Sequence, residues 1–238
     1  MTRNKMRLGK ELSVVDGFLI LLSTFLFMNL LVGSGILPVK FLAGRLPGSS
    51  TSVNMLLVQQ VIQSLVMVGL IVFFLRLRGS SLGQIGLRPF RQRRWIGLSF
   101  LFGIATFFVM LLVTALLVRL FPQWAKPQAI TELIMQAETN WEWFAIILIV
   151  CVLAPFSEEL LFRGYIYHSL RQYKTMGFSI IMTSLLFGCM HYDLFRLLPL
   201  TLVGVCLNLV SIRSGTLWGS ILMHETWNFM MTVLMMTG

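Results

Sequence analysis

Long apolar runs constrain the fold of this chain more than any other feature of its sequence. A helix of about 20 apolar residues is long enough to cross the hydrocarbon core of a bilayer. Only 12% of the 238 residues are charged, against about 25% in soluble proteins, and the runs lack the strict alternation of a β-barrel. Seven runs with few charges lie at about 14–38, 53–75, 96–120, 143–170, 177–191, 194–211 and 216–236.

These runs predict an all-α polytopic membrane protein with about seven transmembrane helices, or eight if one segment is broken or re-entrant. The helices are expected to surround an intramembrane polar cavity. We divide the chain into a basic cytoplasmic tail at 1–13, amino-terminal transmembrane helices and loops at 14–138, and a catalytic core at 139–238. The acidic loop at 121–142 is expected to carry a short amphipathic helix near 128–138 at the outer surface.

The distribution of Lys and Arg predicts the orientation of the helices. With the amino terminus inside, 14 of the 19 basic residues fall in inner segments and five in outer ones, as expected from the excess of Lys and Arg in cytoplasmic loops. The cytoplasmic loops therefore account for the net charge of +10, and no nucleic acid is expected as a partner. The arginine-rich segment 76–94 is expected to lie on the anionic cytoplasmic leaflet, with an acidic partner as the alternative. We expect a bacterial plasma membrane.

Three charged residues interrupt the fourth apolar run: Glu158, Glu159 and Arg163. A charge inside a membrane helix costs roughly 2.5–3.5 kcal/mol on insertion scales, so such groups pair, line a cavity or carry chemistry. Glu159 and Arg163 are spaced i and i+4, with the acid first, which favours a helical ion pair. Glu158 is turned by about 100° and is expected to face the cavity as a general base. Pro155 is expected to kink or open this helix.

Depth along the helices predicts that two histidines join this site. Counted from the inner turns, Glu158, His191 and His224 lie roughly 20, 21 and 15 Å deep at a rise of about 1.5 Å per residue. His224 and Asn228 share a helical face and have N–H groups suited to a developing oxyanion. His191 can share a water molecule with Glu158, and Phe187 is expected to wall the cavity.

A metal site is the alternative to metal-free water activation. The stretch from His224 to Asn228 resembles H-E-x-x-H without its second histidine. Glu158, His191 and His224 could instead supply the three ligands of a catalytic zinc or another divalent ion. The sequence leaves both options open.

The motifs Glu158-Glu159-x-x-x-Arg163, Phe187-x-x-x-His191 and His224-x-x-x-Asn228 resemble the CAAX protease and bacteriocin-processing family, also called CPBP or Abi. This family includes the type II CAAX prenyl endopeptidases, and the resemblance covers about 140–236. It implies an intramembrane, glutamate-dependent or metal-associated endopeptidase. Glu158 and His191 would activate water, and His224 and Asn228 would stabilise the oxyanion. A role for Glu225 is not implied.

We expect a peptide or a membrane-associated protein as substrate, reached from the cytoplasmic side, with CAAX-type or bacteriocin-type processing as the activity. Two other functions fit the same residues. A proton-coupled transporter also uses membrane carboxylates and histidines, although the sequence shows no second copy of the 155–163 pattern. A non-enzymatic immunity or scaffold protein is the other alternative.

Overall fold

The computed structural model describes residues 11–48, 50–125 and 129–237, and this part of the chain forms helices joined by short turns, without a strand. The predicted all-α fold is therefore confirmed. The basic tail up to residue 10, together with Lys126 and Pro127 of the acidic loop, lies outside the described residues.

Each of the seven predicted segments contains a helix. The helices outside the fourth segment are α1 (Val14–Phe27, continued by a π-helical turn at Met28–Gly33), α2 (Val39–Ala43), α3 (Thr51–Leu77), α4 (Arg94–Leu120), α5 (Ala129–Met135), and, after that segment, α9 (Met176–Cys189), α10 (Leu194–Ser214) and α11 (Leu217–Thr237). The short helix α5 confirms the helix expected in the acidic loop.

The fourth segment is one continuous helix, Asn140–Arg171, which we call the central helix. It alternates between α-helix and π-helix: α6 (Asn140–Ile147), a π-helix (Leu148–Leu153), α7 (Ala154–Glu159), a second π-helix (Leu160–Ile166) and α8 (Tyr167–Arg171). The expected kink at Pro155 thus takes the form of a π-helix directly before the proline.

Among the described residues, four helices are long and apolar enough to cross a membrane: Thr51–Leu77, Arg94–Leu120, Asn140–Arg171 and Leu194–Ser214. Apolar helices at Val14–Leu30 and Met176–Cys189 are shorter. On α4, large apolar side chains such as Leu101, Phe108 and Leu112 are more than half exposed. Lipid is the solvent that such a surface requires, so the structure is that of a polytopic membrane protein.

Small residues allow close contact between the helices that carry the site. A Cβ atom on Gly103 of α4 would lie 2.7 Å from the Cβ of Thr226 on α11, and one on Gly204 of α10 would lie 2.9 Å from the Cβ of Ser184 on α9. Membrane helices associate through such close packing. Glycine at these two positions therefore sets how near α4 and α10 can approach their neighbours.

A capping box fixes the start of the central helix. The side chain of Thr139 accepts a hydrogen bond from the Glu142 backbone, and Glu142 accepts from the Thr139 backbone in return. The second carboxylate oxygen of Glu142 accepts from the Ser50 backbone at 2.7 Å, directly before α3. Glu142 is buried to 1% exposure, so it joins two helix starts as well as completing the cap.

At the other end of the bundle, Asp16 joins α1 to the central helix. Arg78 donates two hydrogen bonds to its carboxylate, at 2.7 and 2.9 Å, and the Tyr165 hydroxyl donates a third at 2.9 Å. These contacts anchor the inner half of the central helix near Arg163.

Candidate active site

A cavity of about 490 Å³ lies between the helices, and the predicted site residues line its deep end. Glu158, His191, His224 and Asn228 all contribute to its wall. They come from the central helix, the carboxyl end of α9 and the middle of α11. The structure thus brings together the side chains that the depth comparison predicted to share a site. Most of the remaining wall is apolar.

The two adjacent carboxylates have separate surroundings. Glu159 is fully buried and accepts a hydrogen bond from Arg163 at 2.7 Å, which confirms the predicted ion pair. Glu158 faces the cavity, with 24% of its side chain exposed. One residue of offset therefore separates a carboxylate with fixed partners from one that can reach a bound molecule.

Glu159 also holds His224, a contact that the sequence did not predict. His224 Nδ1 lies 3.0 Å from Glu159 Oε1, and because a carboxylate only accepts, Nδ1 donates this bond. The opposite ring nitrogen, Nε2, lies 3.9 Å from Glu158 Oε2. Arg163, Glu159 and His224 thus form a chain from the buried interior to the cavity.

His191 lies in the turn after α9 and is oriented by that helix. Its Nδ1 donates to the Phe187 carbonyl at 2.9 Å, which leaves Nε2 as the atom available to a molecule in the cavity. The Phe187 ring is fully buried, 4.4 Å from the Arg163 guanidinium, and makes edge contacts with both histidine rings. Phe187 was expected to wall the cavity; it lies beneath the site instead, because Arg163 occupies the ring face.

Asn228 is positioned by an orphan carbonyl of the central helix. In the π-helix an N–H donates to the carbonyl five residues earlier, and the Ala154 N–H accordingly donates to the Ile149 carbonyl. In the same register the Val150 carbonyl would accept from residue 155, but Pro155 has no N–H. The Val150 carbonyl accepts instead from the Asn228 side-chain amide at 2.7 Å. One of the two amide hydrogens is thereby used, and the other can serve a ligand.

The outer end of the cavity is formed by the helix ends furthest from the arginine-rich loop. Its wall there includes Leu56 and Gln60 near the start of α3, Ile130 of α5, Thr114 of α4 and Met235 of α11. On the opposite side, a packed core that includes Ile85, Tyr165 and Leu217 closes the site. The cavity therefore extends toward the end of the bundle away from the arginine-rich loop.

A charged pair lies at the turn between α9 and α10. Arg196 lines the cavity and forms an ion pair with Asp193. Burial alone would raise the pKa of Asp193, but the hydrogen bonds and the charge of Arg196 outweigh it and hold that pKa below its usual range. The sequence did not predict that Arg196 reaches the cavity.

The donor atoms of the site do not assemble a metal centre. The free nitrogens of His191 and His224 are suited to a metal ion, since each Nδ1 is already bonded to an oxygen. Across residues 11–48, 50–125 and 129–237, however, no three His, Cys, Asp or Glu side chains are arranged to hold one ion. The described residues therefore do not fit the zinc alternative in this arrangement.

Comparisons with known proteins agree with the class that fold and site define. The model of the family described as "Type II CAAX prenyl endopeptidase Rce1-like" matches residues 140–230. The chain is 26% identical over 208 residues to "Putative membrane peptidase YdiL" of Bacillus subtilis (strain 168), which covers 83% of this chain and 81% of that protein. It is 39% identical over 83 residues to "Uncharacterized 24.3 kDa protein" of Escherichia coli, covering 33% of this chain and 38% of that protein. No solved structure matches the chain significantly.

The fold and the site define a polytopic helical membrane protein with an acid–base cavity inside the bundle. The Rce1-like family model matches residues 140–230, which agrees with the resemblance indicated by the three motifs. The matched segment contains every candidate catalytic residue. Together the matches support a membrane protease.

Proposed function

We propose that this protein is an intramembrane endopeptidase that hydrolyses a peptide bond with a water molecule activated by Glu158 and His191. The observation that carries the proposal is the shared cavity of Glu158, His191, His224 and Asn228. Behind it, the partners of Glu159 and Arg163 are fixed by burial and hydrogen bonds.

In the first step, water attacks the scissile carbonyl carbon and one of its protons passes to Glu158. His191 Nε2 accepts the second hydrogen bond of that water and orients it. The oxyanion forms beside Asn228, whose free amide hydrogen can donate to it. His224 can donate from Nε2 only as the imidazolium, since its Nδ1 hydrogen is bonded to Glu159.

In the second step, the carbon–nitrogen bond breaks and Glu158 passes its proton to the leaving amine. The products are a carboxyl terminus and an amine terminus.

The substrate class follows from the cavity wall. Its outer end is mostly apolar, so an extended apolar segment of a peptide or membrane protein fits better than a polar chain. Because the cavity opens away from the arginine-rich loop, we infer that substrates come from the outer side of the membrane. Processing of an exported peptide, such as a bacteriocin, agrees with this route better than cleavage of a cytoplasmic CAAX terminus.

The first test compares wild type with Glu158→Gln, which keeps the shape of the side chain and removes the base. Both are purified in detergent and incubated with a diverse peptide pool, with and without chelator, and mass spectrometry identifies the cuts. We expect cleavage by wild type alone and a loss of at least about 100-fold in the variant. Equal cleavage by both proteins would exclude the proposed role of Glu158. Loss of wild-type cleavage with chelator would require a metal ion in the mechanism.

A further inference from the structure

A second concave site lies at the end of the bundle opposite to the opening of the catalytic cavity. It has a volume of about 560 Å³ and is lined by two parts of the chain far apart in sequence, within 88–95 and 212–215. Four arginines line it, and we call it the arginine pocket: Arg88, Arg91, Arg94 and Arg213.

Backbone and side-chain contacts hold the two parts together. The Leu217 backbone donates to the Gly86 carbonyl at 2.9 Å, and the Thr216 hydroxyl donates to the Arg88 carbonyl. Arg88 Nε donates in return to the Gly215 carbonyl at 2.8 Å, where the glycine adopts a left-handed φ of 71°. The pocket is therefore a formed feature of the fold, because three contacts bridge its two sides.

The charge of the pocket is not balanced by its own wall. None of the nine Asp and Glu residues of the sequence lies in the two lining segments. Three other arginines of the described chain have a carboxylate: Arg78 pairs with Asp16, Arg163 with Glu159, and Arg196 with Asp193. The 27-residue helix α4 also begins in the pocket at Arg94, without a side-chain cap, so its N-terminal N–H groups add to the positive potential. An anion would relieve this repulsion.

The surroundings of the pocket indicate an amphiphilic anion. Trp95 lines it, and tryptophan is typical of the membrane–water interface. Directly after it, α4 exposes Ile96, Phe100 and Leu101 by 40, 45 and 58%. A molecule with a phosphate in the pocket could thus lay an acyl chain along this apolar face.

We propose that the arginine pocket binds the phosphate group of an anionic phospholipid. Arginine pairs with phosphate oxygens through two parallel N–H bonds, and four arginines line this pocket. The proposal is independent of the catalytic one, since no pocket residue lines the catalytic cavity. The proposal predicts that a specific lipid binds where the 79–93 loop meets the turn before α11.

Native mass spectrometry of the purified chain with added phosphatidylglycerol or phosphatidylcholine tests the proposal. The variant is the triple substitution of Arg91, Arg94 and Arg213 to Gln. The control is the triple substitution of Lys40, Arg45 and Arg119 to Gln, which removes the same charge from residues outside the pocket. We expect the pocket triple to weaken phosphatidylglycerol binding at least about tenfold, with the control and phosphatidylcholine binding little changed.

Equal weakening of phosphatidylglycerol binding in both triple variants would overturn the proposal, because the lipid would then respond to net charge and not to the pocket. Unchanged binding in both variants would overturn it as well. Glycerol phosphate added at millimolar concentration separates a lipid from a soluble ligand. If it displaces phosphatidylglycerol completely, the pocket recognises a soluble phosphate compound and the lipid assignment fails. Size-exclusion chromatography confirms that both triples are folded.

Discussion

At the scale of single residues, Glu158 and Glu159 show how one position of offset divides a site. Glu159 has no exposed side-chain surface and holds both Arg163 and His224. Glu158 shares its helix but lies on the cavity wall. We infer that the first is a positioning residue and that the second is the catalytic base.

The two isosteric substitutions Glu159→Gln and Glu158→Gln test this division. Removing one partner of a buried ion pair costs about 3–5 kcal/mol, because the other charge stays buried. We therefore expect Glu159→Gln to lower the Tm in detergent by roughly 10 °C and to reduce cleavage as well. Glu158→Gln should abolish cleavage with a Tm within about 2 °C of wild type. Similar Tm values for the two variants would contradict the division.

At the scale of elements, the central helix is built around its π-helical turns. Pro155 and the π register leave the Val150 carbonyl without a backbone donor, and Asn228 of α11 supplies one. The unpaired Val150 carbonyl of the central helix thereby fixes the Asn228 side chain of α11 at the cavity. The distance between α11 and its other neighbour, α4, then depends on Gly103.

Gly103→Val should separate α4 from α11, because its Cβ would meet Thr226 and the Met223 carbonyl below 3 Å. Overpacking of this kind costs about 1–3 kcal/mol, and α11 carries His224 and Asn228. We expect a lower Tm and a cleavage rate reduced at least about tenfold. Gly97→Val on the same helix is the control, since nothing lies within 4 Å of a Cβ there. Equal effects at both positions would point to helix propensity as the cause.

At the scale of the whole molecule, the bundle has two unlike ends. The catalytic cavity opens at one end, and the arginine pocket and the Asp16–Arg78 pair lie at the other. The positive-inside rule predicts that the basic end lies in the cytoplasm, and the proposed substrate route then reaches the cavity from the outer side. This polarity makes the origin of the substrate testable without knowing its sequence.

Single cysteines test the polarity in a background with Cys151, Cys189 and Cys206 changed to Ser. We expect a membrane-impermeant thiol reagent to label Thr114→Cys, in the cavity wall, in intact bacterial spheroplasts. Gln92→Cys, in the arginine pocket, should be labelled only after permeabilisation. The reverse pattern would restore the cytoplasmic approach to the cavity and overturn the inferred route.

The spacing of residues along the chain was by itself sufficient to predict the helices and several features of the site. Apolar runs predicted the helices because lipid requires every backbone group to be bonded within its segment. The i, i+4 spacing predicted the Glu159–Arg163 pair, and residue counts predicted the common depth of Glu158, His191 and His224. The capping box at Thr139 and Glu142 was also readable from spacing, although the sequence analysis did not use it.

Only the tertiary structure decided which partners meet across helices. The His224–Glu159 bond joins residues 65 positions apart, the Asn228–Val150 bond joins residues 78 apart, and the Arg88–Gly215 bond joins residues 127 apart. Spacing along a helix gives the depth and the face of a side chain, but the rotation and tilt of each helix depend on its packing against neighbours. For that reason the sequence could place the polar residues at one level, and the packing of the bundle determined that their cavity opens away from the arginine-rich loop.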